Sequence, residues 1–286
     1  MTGLKTKLMN RQEVVKEIFM QDGIGAQLWR KLYVMSYAKY YNLLFEDTLI
    51  TDFLIHESDQ VYSEEEKVKF INKFNAILKN PWKDIDFSNK DNFFLSDKVG
   101  LGYELTHKNQ GIIDYPWPFL EVAKEFSTIE KTENNVIIHI RRGNVIPENP
   151  RWVEESVYVD MLQRLPDFLE KLNIVPDRVI ILTDAPDINK KFKPINQNQL
   201  DKWKQDYLYK DENNSFETTS INFELLKNAY PGVEILNNLD TYTAFTMMVM
   251  AKVLITGRSA FSRSAGLLSK NTVLSIDNFD SLFKNT

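Results

Sequence analysis

The distribution of apolar residues divides the chain into two stretches of different character. From about Lys131 onward, short apolar runs recur at regular intervals. Val136–Ile140, Val179–Leu182, Val233–Leu236, Val253–Thr256 and Thr272–Ile276 are rich in β-branched residues and short enough to be strands buried on both faces. Between them lie segments with helical spacing: Val157–Leu172, Phe223–Ala229, Tyr242–Ala251 and Ser259–Leu268. Strands alternating with helices predict right-handed crossovers and a parallel sheet. Lys193–Thr219 is polar and reads as a long loop with a short helix.

Before Lys131 the pattern is weaker. Glu17–Met20 reads as a short strand that runs into Gln21-Asp22-Gly23-Ile24-Gly25-Ala26-Gln27. A helix follows from about Leu28 to Tyr40, and then a second strand at Leu43–Glu46. Two glycines between strand and helix open a tight turn and let a ligand approach the backbone. Ser63–Asn80 predicts an amphipathic helix, with Ser63 and Glu66 as a capping box and Val68, Ile71, Phe74 and Leu78 on one stripe. Pro81 ends it. Asp84–Asn109 is polar and irregular, Pro116-Trp117-Pro118 is a break, and Leu120–Phe126 reads as a helix. A boundary falls near residues 127–134, which divides the chain into residues 1–130 and 131–286.

Composition narrows the classes. A length of 286 residues suits one large or two modest domains, and 43% apolar residues suffice for a packed core. A net charge of −5 argues against a nucleic-acid binder, although it permits a local basic site for one diphosphate. Without cysteine there is no disulfide framework, zinc–thiolate site or thiol nucleophile. No apolar run approaches the roughly 20 residues of a membrane span, and the N-terminus lacks the apolar core of a signal peptide. The expected location is cytoplasmic.

The candidate chemistry lies at predicted strand ends, where open parallel sheets bind ligands. His139-Ile140-Arg141-Arg142-Gly143-Asn144 places two adjacent arginines just past a buried strand. Guanidinium groups chelate phosphate oxygens in a planar, bidentate way and stay charged at every relevant pH. His139, inside the strand, is either a satisfied core residue or, facing the sheet edge, a donor to a base or phosphate. Thr183-Asp184 follows the second apolar run. Gly257-Arg258-Ser259-Ala260-Phe261-Ser262 follows the fourth and opens a helix, whose N-terminal N–H groups favour an anion. Three polar clusters at strand ends in one half of the chain point to a phosphorylated ligand.

These same residues resemble a known superfamily. His139-x-Arg141-Arg142-Gly143-Asn144 is similar to the His-x-Arg-Arg-Gly-Asp motif of the α-1,2-, α-1,6- and protein O-fucosyltransferases. Gly23-Ile24-Gly25-Ala26-Gln27 resembles their N-terminal Gly-x-Gly-x-Gln loop, and Asp240–Leu268 resembles their third motif. The resemblance implies an α/β fold of GT-B type: two Rossmann-like domains with parallel sheets and a nucleotide-sugar cleft between them. Residues 1–130 would be the acceptor-side domain and residues 131–286 the donor-binding domain. It implies inverting, metal-independent transfer of fucose from GDP-fucose to a glycan hydroxyl, with no cofactor and no nucleic-acid partner. Arg141 would contact the leaving diphosphate, and Arg142 would be structural or acceptor-facing. His139 and Asp240 would contact base or ribose, Ser259 and Ser262 phosphates, and Phe261 the base. Gly23, Gly25, Gln27, Asn144, Asp184 and Arg258 complete the expected substrate-binding set. Asn144 stands where the motif has aspartate.

Inverting transfer needs a base for the acceptor hydroxyl. Glu148 is the candidate; Glu154 and Glu155 sit where they would stabilise the first turn of the next helix. Competing readings are a donor-using enzyme of GT-A type with Asp84-Ile85-Asp86 on a metal, a transferase of the same fold using another deoxyhexose or pentose, and a non-catalytic nucleotide- or glycan-binding module. A dinucleotide-dependent oxidoreductase is disfavoured, because Gly23 and Gly25 lack the third glycine of that fingerprint.

Overall fold

The computed structural model describes residues 11–16, 22–52, 63–88, 92–95, 118–142, 145, 149–185, 221–237 and 239–279. The chain forms two compact units, one of Met1–Leu54 with Glu64–Glu130, the other of Ile55–Ser63 with Lys131–Thr286. Each contains a parallel sheet, so the fold class is α/β.

In the first unit, β1 (Gln12–Lys16) pairs in parallel with β2 (Leu44–Glu46) on one side and β3 (Phe93–Leu95) on the other. Helix α1 (Ile24–Tyr40) joins β1 to β2 and buries Leu28, Leu32 and Met35 completely. Helix α2 (Glu64–Ala76) buries Ile71 and Phe74. A 3₁₀ segment, Pro118–Phe126, ends the unit.

Several expectations are corrected here. The expected strand at Glu17–Met20 lies outside the described residues, and the strand that is present precedes it. Helix α1 begins four residues before Leu28, so Gly25 is a buried residue of its first turn. Val68, placed on the apolar stripe of α2, is 54% exposed. Leu78 lies beyond the end of α2 in an antiparallel bridge to Ser127. The helix thus buries a narrower face than its 18-residue pattern implied. Strand β3 arises within the stretch read as irregular.

In the second unit the sheet order is β6-β5-β4-β7-β8, all parallel: β4 (Glu133–Ile140), β5 (Arg178–Thr183), β6 (Glu234–Asn237), β7 (Ala251–Thr256) and β8 (Thr272–Ser275). Their helical connections are α3 (Glu155–Lys171), α4 (Phe223–Ala229), α5 (Thr241–Met250) and α6 (Ala260–Leu268). The central strand β4 is buried on both faces, which explains its unbroken apolar run. Val136, Ile138 and Ile140 join Leu162, Leu165 and Leu169 of α3 in one core, and the strand period sends Ile137 to the opposite face. Helix α3 accommodates Pro166 in its interior.

The chain builds β4, β5 and β6 outward in one direction. It then returns to the other side of β4 to lay down β7 and β8. The strand order therefore reverses between β4 and β7. At such a switch point the loops leaving two adjacent strands diverge and open a place for a ligand.

Candidate functional site

The loops at the switch point carry the arginine pair after β4 and Gly257-Arg258-Ser259 after β7. The two strand ends approach closely. A methyl carbon on Gly257 would lie 2.8 Å from the carbonyl oxygen of His139, 3.6 Å from the hydroxyl of Tyr158 and 3.8 Å from the backbone nitrogen of Arg141. Glycine is therefore required by space rather than by backbone angle. Helix α6 starts immediately beyond. Ser259 caps it, its hydroxyl accepting the N–H of Phe261 at 3.3 Å. Gly266 seats the helix on the sheet, since a methyl carbon there would come within 2.9 Å of Val273.

The two arginines have different surroundings. Arg141 is partly open, with 20% of its side chain exposed, and forms an ion pair with Asp184 from the end of β5. Arg142 is 1% exposed. Its guanidinium carbon sits 3.8 Å from the centre of the Trp152 ring and 5.8 Å from that of Tyr158. Its Nη2 donates to the carbonyl of Val153 at 2.7 Å. Burial pulls its pKa down, with Tyr158, Glu155 and Glu154 acting in the opposite sense. The backbone N–H of Arg142 donates to the Asp184 carboxylate at 2.8 Å. Asp184 thus holds both the side chain of Arg141 and the main chain of the turn that carries it.

His139 is 7% exposed, and among the described residues its Nδ1 has no hydrogen-bond partner. Burial, reinforced by the nearby charge of Arg141, lowers its pKa to about 3. The ring is neutral at physiological pH. It faces Phe261 at 6.0 Å between centroids, and Phe261 faces Phe245 of α5 at 5.4 Å. Tyr158 is 1% exposed, and burial raises its pKa to about 12.

Other expected contacts are already engaged within the protein. Ser262 is fully buried and its hydroxyl donates to the carbonyl of Ser259 at 3.3 Å. Asp240 caps α5 by accepting the N–H of Thr243 at 2.9 Å. Arg258 binds Asp277 and two backbone carbonyls.

In the first unit, Gly23 accepts the N–H groups of Ala26 and Gln27 on its carbonyl. Gln27 is 3% exposed, and its Nε2 donates to the carbonyls of Asp22 and Asp52 at 2.7 and 2.8 Å. Gln27 ties together the loops after β1 and β2. Buried Arg30 and Lys31 pair with Asp22 and Asp47. The backbone angles at Gly23 are ordinary, so the expected need for glycine flexibility there is corrected. Gly143, Asn144 and Glu148 lie outside the described residues. Asp84 and Asp86 are exposed, and the pKa of Asp86 is lowered by a hydrogen bond from the Ser88 side chain and, next, by the Ser88 backbone N–H, which donates to it at 2.9 Å. Among the described residues no helix is long and apolar enough to cross a membrane.

The contributions of Trp152, Tyr158, Phe245 and Asp277 were not foreseen from the sequence. Tyr158, Phe245 and Asp277 lie on different elements from the motifs they touch, and Trp152 sits ten residues beyond Arg142 in the same connection. The one available signal was the crowding of aromatics after the arginine pair.

No family model matches the chain, and no curated protein matches it. Among solved structures, POFUT1 in complex with GDP-fucose aligns at a TM-score of 0.38 and 13% identity, covering 93% of this chain and 98% of that one. POFUT1 in complex with GDP aligns at 0.37 and 9%, covering 93% and 99%. The fucosyltransferase NodZ from Bradyrhizobium aligns at 0.31 and 12%, covering 94% and 96%. Likeness of this degree carries no function from one chain to another.

Proposed function

We propose that the chain is a glycosyltransferase of GT-B type that transfers fucose from GDP-fucose to a glycan hydroxyl, with inversion and without a metal ion. The observation that carries this reading is that Arg141 and the start of α6 follow the adjacent ends of β4 and β7, where the strand order reverses and the backbones at Gly257 and Arg141 approach closely. An arginine fork and a set of aligned backbone N–H groups form a site for a pyrophosphate. The choice of guanosine and fucose rests on the motif resemblance of His139–Asn144 and Gly23–Gln27.

In this reading Arg141 and the first turn of α6 take the charge that develops on the departing diphosphate. Both are held in place before the ligand arrives, which is the arrangement that stabilises a transition state most effectively. Phe261 and neutral His139 receive the base or ribose, and the Nδ1 of His139 supplies a polar contact there. Glu148 takes the proton of the attacking hydroxyl. As the acceptor oxygen bonds to the anomeric carbon, the bond from that carbon to the diphosphate breaks and GDP leaves.

Calorimetric titration with GDP, UDP and dTDP tests the donor reading. GDP is expected to bind in the presence of chelator. Arg141→Ala should reduce GDP affinity and lower turnover by about two orders of magnitude or more while the protein stays folded. Wild-type turnover in that variant would refute the diphosphate grip, and loss of activity on chelation would refute metal independence. Glu148→Gln should abolish transfer while leaving GDP binding intact. Nucleotide binding with no turnover against any acceptor would make the chain a binding module.

A further inference from the structure

The C-terminal edge of the second sheet carries charged residues at four adjacent strand ends: Asp184 after β5, Arg141 and Arg142 after β4, Arg258 after β7, and Asp277 after β8. In sheet order this is acid, base, base, acid. The arginines belong to the two strands that flank the switch point, and each has an acid on its outer side. Arg141 pairs with Asp184. Arg258 places both Nε and Nη2 2.8 Å from one oxygen of Asp277.

The remaining nitrogen of Arg258, Nη1, has a different task. It donates to the carbonyl of Pro150 at 3.1 Å and to that of Trp152 at 2.9 Å. The same segment is gripped from the β4 side by Arg142, which stacks on Trp152 and donates to the carbonyl of Val153. Pro150–Val153 is thereby stitched to strand ends on both sides of the switch point. A continuous chain of contacts runs from Asp277 through Arg258, Trp152, Arg142 and Asp184 to Arg141. All three nitrogens of the Arg258 guanidinium serve this chain, which matches an organiser better than a direct ligand contact.

We propose that Asp277, acting through Arg258, is a positioning residue: it holds Pro150–Val153, and through the Trp152–Arg142 stack it fixes the turn that presents Arg141. The part assigned to Arg141 rests on its grip on a diphosphate, whereas the hold on Trp152 does not.

The test uses the full chain with Asp277→Asn, Asp277→Glu and Arg258→Ala, and GDP as probe. Three quantities are measured: the indole N–H resonance of Trp152, assigned with Trp152→Phe; the GDP dissociation constant; and the melting temperature. Asp277→Asn should shift the Trp152 resonance and weaken GDP binding about two- to fivefold, the scale of one half-exposed ion pair. Asp277→Glu should recover both in part. An unmoved Trp152 resonance in Asp277→Asn would overturn the proposal, as would a lower melting temperature with Trp152 and GDP affinity both unchanged. A large loss of affinity in Arg258→Ala with Trp152 unmoved would make Arg258 a ligand contact and overturn it too. If the parent protein binds no GDP, the nucleotide reading falls and the Trp152 resonance alone decides: movement supports the positioning role and stillness ends it.

Discussion

Gly257 offers the sharpest test of the strand-end geometry. In Gly257→Ala the new methyl carbon meets the carbonyl oxygen of His139 at 2.8 Å, where ordinary contact begins at 3.4 Å. The obstacle is backbone, so no rotamer change relieves it, and the ends of β4 and β7 must separate by about 0.6 Å. Overpacking of this kind costs about 1–3 kcal/mol. For a chain of this size that corresponds to a fall of about 2–10 °C in melting temperature. The displacement also moves the turn bearing Arg141 relative to the start of α6. A misplacement of 1 Å can cost about 100-fold in rate, so about 0.6 Å should lower donor turnover roughly tenfold. Scanning calorimetry gives the first number and donor hydrolysis or transfer the second. If Gly257→Ala melted at the wild-type temperature and turned over at the wild-type rate, the close approach of the two loops would be wrong. So would the claim that their spacing sets the site.

Three other outcomes are expected from elsewhere in the structure. His139 has an ordinary pKa of 6.5 and a folded value of about 3. Below pH 6.5 the unfolded chain takes up a proton that the fold refuses, so stability should fall by about 1.4 kcal/mol per pH unit and be unaffected by this group above that pH; His139→Gln should flatten the slope in denaturant titrations between pH 7 and 5. Arg142→Lys removes the flat stack on Trp152 and should destabilise the protein by about 1–3 kcal/mol, read as a shift in the urea midpoint. Pro166→Ala restores a backbone N–H inside α3 at an exposed position and should raise the melting temperature, with a gain of up to about 3 kcal/mol; an unchanged or lower value would show that the helix depends on the ring.

The second unit was legible in the sequence because its three central strands, β4, β5 and β7, are buried on both faces. Val136–Ile140 and Val253–Thr256 are apolar at nearly every position, and only a central parallel strand needs that. The first unit has strands of three to five residues, some half exposed, so Phe93–Leu95 and Gln12–Lys16 carried little pattern to detect. Val68 matched a helical stripe but meets solvent, because α2 packs over a narrower face than its period allows. Arg141 and the start of α6 could be found because each directly follows an apolar run. The partners that orient them could not. Asp277 reaches Arg258 across 19 residues, and Arg258 reaches Trp152 across 106. Such contacts depend on sheet order, which no local window contains.

On the proposed reading, the ion pair between Arg141 and Asp184 sets the terms on which an anion joins the arginine. The carboxylate is tethered on the neighbouring strand and competes at an effective concentration that a dissolved salt does not reach. Chloride or acetate offers the guanidinium a single charge and loses that contest. On the same reading, a ligand with adjacent phosphates meets the arginine and the start of α6 together while Asp184 keeps the guanidinium aimed. A site of this kind, so read, would discriminate against small monovalent ions and sort solutes by charge number before any ring or sugar is read.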